Sequence, residues 1–254
     1  MEDSYHLIGI GGIGMSSLAH ILLQKSCHVS GSDSLATPLT EELEKEGAHI
    51  YRGHRTNHVM EGQTVVYSTA IQSDNIELGQ AKARGCCLIH RSELLAELTR
   101  EQQAILVAGT HGKTTVTALL AHILIHAGLD PSYVIGGTVA CLPAHGRLGR
   151  GKYFVAEADE SDGSFLKGKA HGAIVTNIEP DHLDYWKSWD KLKEGFAQFI
   201  APFKSGSPFV WCYDDPTVRS LASSGKSYGF EEGADLQVID AQGKGELVIQ
   251  IDGY

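Results

Sequence analysis

The strongest constraint in this 254-residue chain is a device that occurs twice: a short apolar run, a glycine-rich corner, and a helical segment. The first copy reads LIGIGGIGMSS at residues 7–17, and the second reads AILVAGTHGKTT at residues 104–115. Glycine lets the backbone turn sharply where a strand ends. The helix that follows offers unpaired N–H groups and the positive end of its dipole. Corners of this kind belong to parallel sheets flanked by helices. The chain is therefore expected to be α/β. A Rossmann-like N-terminal domain with a parallel sheet, residues 1–100, is expected to precede a P-loop-type α/β domain, residues 101–254, itself expected to be incomplete because no helical segment follows its last hairpin. The boundary falls in the polar stretch TREQQ.

The rest of the pattern agrees. Apolar runs at residues 5–10, 27–33, 64–68, 86–90, 104–109, 153–159, 172–178 and 207–215 read as strands. Helical periodicity is expected over 14–25, 38–46, 75–84, 91–99 and 113–126, with Gly47 and Gly128 as stops. Residues 236–253 read as a β-hairpin with a glycine-rich turn.

Net charge is −10 with no block of lysines or arginines, which argues against nucleic acid and anionic membranes as partners. A local phosphate ligand remains open, because backbone N–H groups and one or two cations suffice. The N-terminus has no basic region, and no apolar stretch is long enough to span a bilayer. Cys86 and Cys87 are adjacent and no C-x-x-C occurs, so the five cysteines are expected to be reduced, mostly buried thiols in a cytoplasmic protein.

Gly9, Gly11 and Gly14 make G-x-G-x-x-G, and Asp33 ends the next strand, where it could accept hydrogen bonds from a ribose. This pattern points to a pyrophosphate-bearing nucleotide without saying which. In the second corner, Gly109, Gly112, Lys113, Thr114 and Thr115 form a shortened phosphate loop, since Val107 stands where the longer motif has its first glycine. Lys113 would supply charge to β/γ oxygens, and Thr114 could ligate Mg²⁺. The segment FVAEADESDGSFL crowds Glu157, Asp159, Glu160 and Asp162 after a strand. Glu157, nearest the strand, is favoured as a Mg²⁺ ligand. The other three fit a ligand set or a solvated loop equally. In IVTNIEPDHLDYW, His182 follows a strand end between Asp181 and Asp184. His54, His58, His122, His126 and His145 carry no comparable context and read as structural.

Taken together and in order, HLIGIGGIGMSSLA, VSGSD, GTHGKTT, EADESDGSFL and TNIEPDHLDYW resemble the Mur ligases, and most resemble their alanine-adding members. The resemblance runs from Tyr5 to about Asp215. It implies that the first corner holds a UDP-sugar and not NAD, with Gly11, Gly12, Ile13 and Gly14 at the diphosphate and Asp33 toward the uridine. Ser68 and Thr69, in YSTAI, are further candidates for that ligand. It implies ATP at Gly109, Thr110, His111, Gly112, Lys113, Thr114 and Thr115. It also implies Mg²⁺ at Thr114, Glu157 and His182, and catalytic roles for Lys113, Glu157 and His182. The partners implied are UDP-N-acetylmuramate and L-alanine, joined through an acyl phosphate in peptidoglycan biosynthesis. A third, C-terminal domain of that family is expected to be absent, which would make the chain a fragment. Three other readings stand beside this one: the murein-tripeptide-adding members of the same architecture, an NAD-dependent oxidoreductase, and a non-catalytic nucleotide-binding regulator.

Overall fold

The computed structural model describes residues 3–203, 206–243 and 247–251. The chain forms two compact units, residues 1–102 with 117–156, and residues 103–116 with 157–254.

The first unit opens with β1 (Ser4–Ile8), α1 (Ile13–Gln24), β2 (His28–Asp33), α2 (Pro38–Lys45) and β3 (His49–Arg52). It continues through β4 (Thr64–Tyr67), α3 (Ile76–Ala83), β5 (Cys87–His90) and α4 (Arg91–Leu98). The five strands lie in the order β3-β2-β1-β4-β5, every neighbour parallel. Order reverses between β1 and β4, and in such sheets that crevice, at the carboxyl ends of the strands, is where ligands bind. The core joins Leu7 and Ile8 of β1 to Leu18, Ile21 and Leu22 of α1 and to Val65 and Val66 of β4, all nearly inaccessible. The helix boundaries have local causes. Thr37 caps α2 reciprocally with Thr40, and Pro38 opens it. Asn75 accepts from the Glu77 and Leu78 amides at the start of α3.

Next come β6 (Gln103–Ala108), α5 (Lys113–His126), β7 (Ser132–Val134), β8 (Gly146–Arg147) and β9 (Tyr153–Glu157). The chain leaves the first unit after Gln102, and residues 117–156 return to it. They do so because α1 is apolar and small on more than one side. Ser16 Oγ lies 2.9 Å from His145 Nε2, and Ser17 Oγ donates to the Ile135 carbonyl at 3.4 Å. A Cβ on Gly146 would fall 2.3 Å from the Ser17 carbonyl, so only glycine permits this approach. In the same unit β7 pairs parallel with β9 and antiparallel with β8.

The second unit adds β10 (Gly172–Val175), α6 (Leu183–Trp186), α7 (Trp189–Ile200), β11 (Phe209–Cys212) and α8 (Pro216–Leu221). It then adds β12 (Lys226–Gly229), β13 (Leu236–Gly243) and β14 (Leu247–Ile251). Its strands run β6-β10-β11-β12-β13-β14, parallel except for the β13/β14 pair. That antiparallel pair is the expected hairpin; its turn, residues 244–246, lies outside the described residues. Ser188 caps α7, which buries Leu192, Phe196, Phe199 and Ile200. Phe165 stacks on Phe199 at 5.3 Å, and Phe203 on Phe209 at 5.3 Å, extending this core toward β11. The five cysteines are unpaired but not mostly buried as expected: Cys27, Cys86 and Cys212 are half-buried and Cys87 and Cys141 exposed. No helix among the described residues is long and apolar enough to cross a membrane.

Candidate functional site

In the second unit, β6 feeds the loop at residues 109–112 and α5 begins at Lys113. Gly109 has φ +135°, and a Cβ there would sit 2.1 Å from Thr176 Oγ1. Gly109→Ala is accordingly expected to cost about 2 kcal/mol and to lower the thermal midpoint by several degrees in a melting experiment. The loop is tied to the end of β10 along its length. The Thr110 amide donates to the Asn177 carbonyl at 3.0 Å, and the His111 amide to Asn177 Oδ1 at 2.8 Å. Thr176 Oγ1 and Asn177 Nδ2 donate to the His111 carbonyl at 2.7 and 3.0 Å. A Cβ on Gly112 would meet nothing within 4 Å, so the loop's outer face is open. Thr115 is exposed in the first turn of α5.

The charged side chains of this corner converge. Lys113 Nζ donates to the Gly109 carbonyl at 2.6 Å, to the Thr110 carbonyl at 3.3 Å, and to both Glu160 oxygens at 2.9 and 2.8 Å. Glu160 is 1% exposed. Burial pushes its carboxyl above the usual range, with the Lys113 contacts pulling the other way. Thr114 Oγ1 donates to Glu157 Oε2 at 3.1 Å. His182 Nε2 lies 3.9 Å from Glu160 Oε1 and 3.7 Å from Asp181 Oδ2. Its backbone sits at φ +51°, a left-handed conformation for a non-glycine residue, and its amide donates to Asp181 Oδ1 at 2.7 Å. Backbone strain of this kind persists where surrounding structure enforces it, and it concentrates at functional sites.

The Thr114 hydroxyl and Glu157 carboxylate are hard oxygen donors beside a phosphate loop, a set that fits Mg²⁺. Among the described residues, Glu157, Glu160 and His182 do not close to mutual ligand spacing; the group that does is His20 on α1, Glu42 on α2 and Glu46 at the end of α2. There His20 Nδ1 pairs with Glu46 Oε2 at 2.6 Å. Glu160 is the residue that sequence reasoning left undecided. No local signal separates it from the other clustered acids, because its partner Lys113 lies 47 residues away.

In the first unit the glycine corner lies at the end of β1, beside the reversal point of the sheet. Gly9, at φ +77°, turns the chain, and its amide donates to the Ser32 carbonyl at 2.8 Å. Gly12 precedes α1 without a side-chain cap, and the first turn of α1 holds no acid. Asp33 Oδ2 accepts the Gly11 amide at 2.9 Å, and Oδ1 accepts the Leu35 amide at 3.1 Å. The acid thus braces the corner itself. Ile13 and Gly14 open α1. Ser68, half-buried, and Thr69, exposed, follow directly on β4. A Cβ on Gly14 would lie 3.2 Å from Arg91 Nη1, which places a guanidinium beside the helix start. Sequence reasoning passed over Arg91, although it follows β5 in a parallel sheet and so shares the corner's edge.

A buried network supports this corner. Glu77, inaccessible in the first turn of α3, accepts from Ser32 Oγ at 2.5 Å and from the Arg55 amide at 3.1 Å. His58 Nδ1 and His54 Nδ1 stand 2.8 and 3.1 Å from its oxygens, and His6 Nε2 3.6 Å. Burial alone would raise its pKa, but the nearby His6 ring and the bonds from Ser32, His54 and the Arg55 amide outweigh that and hold it at about 2. His54 and His58 thus serve structure, as their sequence context suggested.

Comparison with known proteins bears on both corners. A family model described as Mur ligase family, catalytic domain, matches residues 4–103, and one described as Mur ligase middle domain matches residues 107–251. The UDP-N-acetylmuramate--L-alanine ligase of Protochlamydia amoebophila is 48% identical over 239 residues, covering 94% of this chain and 53% of that protein. The enzyme of that name from Carboxydothermus hydrogenoformans is 45% identical, covering 92% and 52%. The chain spans about half the length of the curated relatives it matches. Among solved structures, the UDP-N-acetylmuramate:L-alanyl-gamma-D-glutamyl-meso-diaminopimelate ligase of Neisseria meningitides matches with TM-score 0.89 at 25% identity, covering all of this chain and 85% of that one. UDP-N-acetylmuramate-alanine ligase from Thermotoga maritima matches with TM-score 0.88 at 26% identity, covering 98% and 58%. With its two segments matched in order and its α/β architecture shared throughout, the chain belongs to the Mur ligase family.

Proposed function

We propose that this chain carries the UDP-sugar-binding and ATP-binding parts of an enzyme that joins L-alanine to UDP-N-acetylmuramate in peptidoglycan biosynthesis, with ADP and phosphate released. The domains are residues 1–100 for the sugar nucleotide and 101–254 for ATP. The observation that carries the reading is the pair of strand–glycine–helix corners, each at the carboxyl end of a parallel strand, in a chain 44–48% identical to ligases of that name.

A carboxylate is a poor acyl donor, because its leaving group would be oxide. Transfer of a phosphoryl group from ATP to the lactyl carboxylate makes an acyl phosphate, which the alanine amine can attack. Thr114 and Glu157, with His182 on the metal side, would hold Mg²⁺, which would supply charge neutralisation between two anions. Lys113 holds the β/γ oxygens. The Gly112 amide at the loop's open face, with Gly109, Thr110, His111 and Thr115 around it, lines the phosphate site, while Asn177 holds the Thr110 and His111 amides and so fixes the loop's shape. In the first unit, Gly11, Gly12, Ile13 and Gly14 line the UDP diphosphate at the start of α1, with the Gly11 amide held by Asp33 so that the corner keeps its shape. Asp33, Ser68 and Thr69 lie along that ligand. A cytoplasmic setting suits substrates of this kind.

The deciding experiment is phosphate release from ATP and Mg²⁺ with UDP-N-acetylmuramate and each candidate amine, using this chain and a chain extended to the length of its relatives. Dependence on L-alanine supports the reading; release that responds only to a tripeptide transfers the assignment to the tripeptide-adding members. Quenching of NADH fluorescence by the chain would point instead to an oxidoreductase. A further prediction concerns Gly11, where a Cβ would sit 2.9 Å from Asp33 Oδ2. Gly11→Ala breaks the amide–carboxylate bond and is expected to weaken UDP binding by about tenfold, read by isothermal titration.

A further inference from the structure

We propose that Glu160 is a positioning residue which competes with the nucleotide for Lys113, so that its carboxylate sets how tightly the phosphate loop binds. The inference rests on the reading of residues 109–115 as that loop.

The amine has three protons, and all are engaged: the Gly109 and Thr110 carbonyls take their share, and Glu160 receives the rest through both oxygens. An incoming phosphate oxygen therefore enters a filled shell in which Glu160 is the anionic acceptor. The carboxylate cannot retreat into water, being 1% exposed. Its backbone is pinned from another side, since Trp186 Nε1 donates to the Glu160 carbonyl at 2.9 Å. The other basic side chain in reach is His182, whose Nε2 stands 3.9 Å from Oε1. Loading the loop thus pits two anions against each other for one ammonium, and part of the phosphate's binding energy goes into loosening a half-buried lysine from a buried carboxylate. A neutral amide of the same shape would accept a hydrogen bond from Lys113 without holding it by charge.

The test uses Glu160→Gln and Glu160→Asp, with inorganic tripolyphosphate and metal-free ADP as probes in isothermal titration. Leaving metal out isolates the lysine from Glu157 and His182. Glu160→Gln is expected to bind both probes about tenfold more tightly than the parent protein, while Glu160→Asp, which keeps the charge, shows no gain. Circular dichroism melts identify folded variants. A folded Glu160→Gln with unchanged or weakened affinity overturns the proposal. A second readout is independent of any nucleotide: the labelling rate of Lys113 by an amine-acylating reagent, mapped by mass spectrometry. Loss of the anionic partner is expected to raise that rate several-fold, and an unchanged rate overturns the proposal. If neither folded protein binds either probe, the phosphate-loop reading and the competition built on it both fall, and the labelling rate then reports only whether Glu160 holds the amine.

Discussion

Lys113→Met is expected to abolish ATP-dependent phosphate release and to destabilise the second unit by about 3–5 kcal/mol, the usual consequence of removing one partner from a buried ion pair. Both effects come from one atom. Nζ holds Glu160 at 2.8 Å in the resting protein and is the cation that the loop offers to a polyphosphate. Losing a preorganised electrostatic contact to a developing charge lowers turnover by at least about 100-fold. The two effects separate in a double variant. Lys113→Met with Glu160→Gln removes the unpaired buried carboxylate, so the urea midpoint is expected to recover most of its loss while phosphate release stays absent. A double variant as unstable as the single one would show that the carboxylate was not the source of the damage.

The second large effect is a loss of stability in acid. Glu77 is held at about 2 against an ordinary value of 4.5. A carboxylate with a depressed folded-state pKa contributes its full stabilisation above the unfolded value and loses it as pH falls through the folded one. The difference corresponds to about 3 kcal/mol, of which about 2 kcal/mol is gone by pH 3. Urea unfolding between pH 7 and pH 3 measures this directly. Glu77→Gln cannot ionise, so its profile is expected to be flatter over that range and its stability at pH 7 lower. A variant profile parallel to that of the parent protein would remove Glu77 from the account.

Much of this architecture is written in local pattern. The glycine corners, the capped starts of α2 and α3 and the apolar strands β1, β2, β6 and β10 each announce themselves within a dozen residues. What stays hidden depends on distant partners. The short strands β3, β7 and β8 gain their identity from neighbours, Gly31 against Ile50 and Val134 against Gly146, and carry little pattern of their own. Glu160 is one acid among several in the sequence; its burial follows from Lys113 and Trp186, 47 and 26 residues away. Asp33 was legible as the acid after the second strand. That its oxygens are spent on the Gly11 and Leu35 amides depends on how the corner folds back. Arg91 was overlooked because its meaning lies in the proximity of β5's end to α1, which no run of residues displays.

The returning segment, residues 117–156, also governs how this protein can be dissected. A piece cut at residue 102, the natural choice from a linear domain map, would strip the cover from Ser16, Ser17 and His20 on α1 and leave a small-residue helix face exposed. Such a piece is a candidate for aggregation or for sticking to its own kind. Anyone seeking the sugar-nucleotide half alone should graft the covering strands back through a short linker, or scan proteolytic nicks for a boundary that respects them.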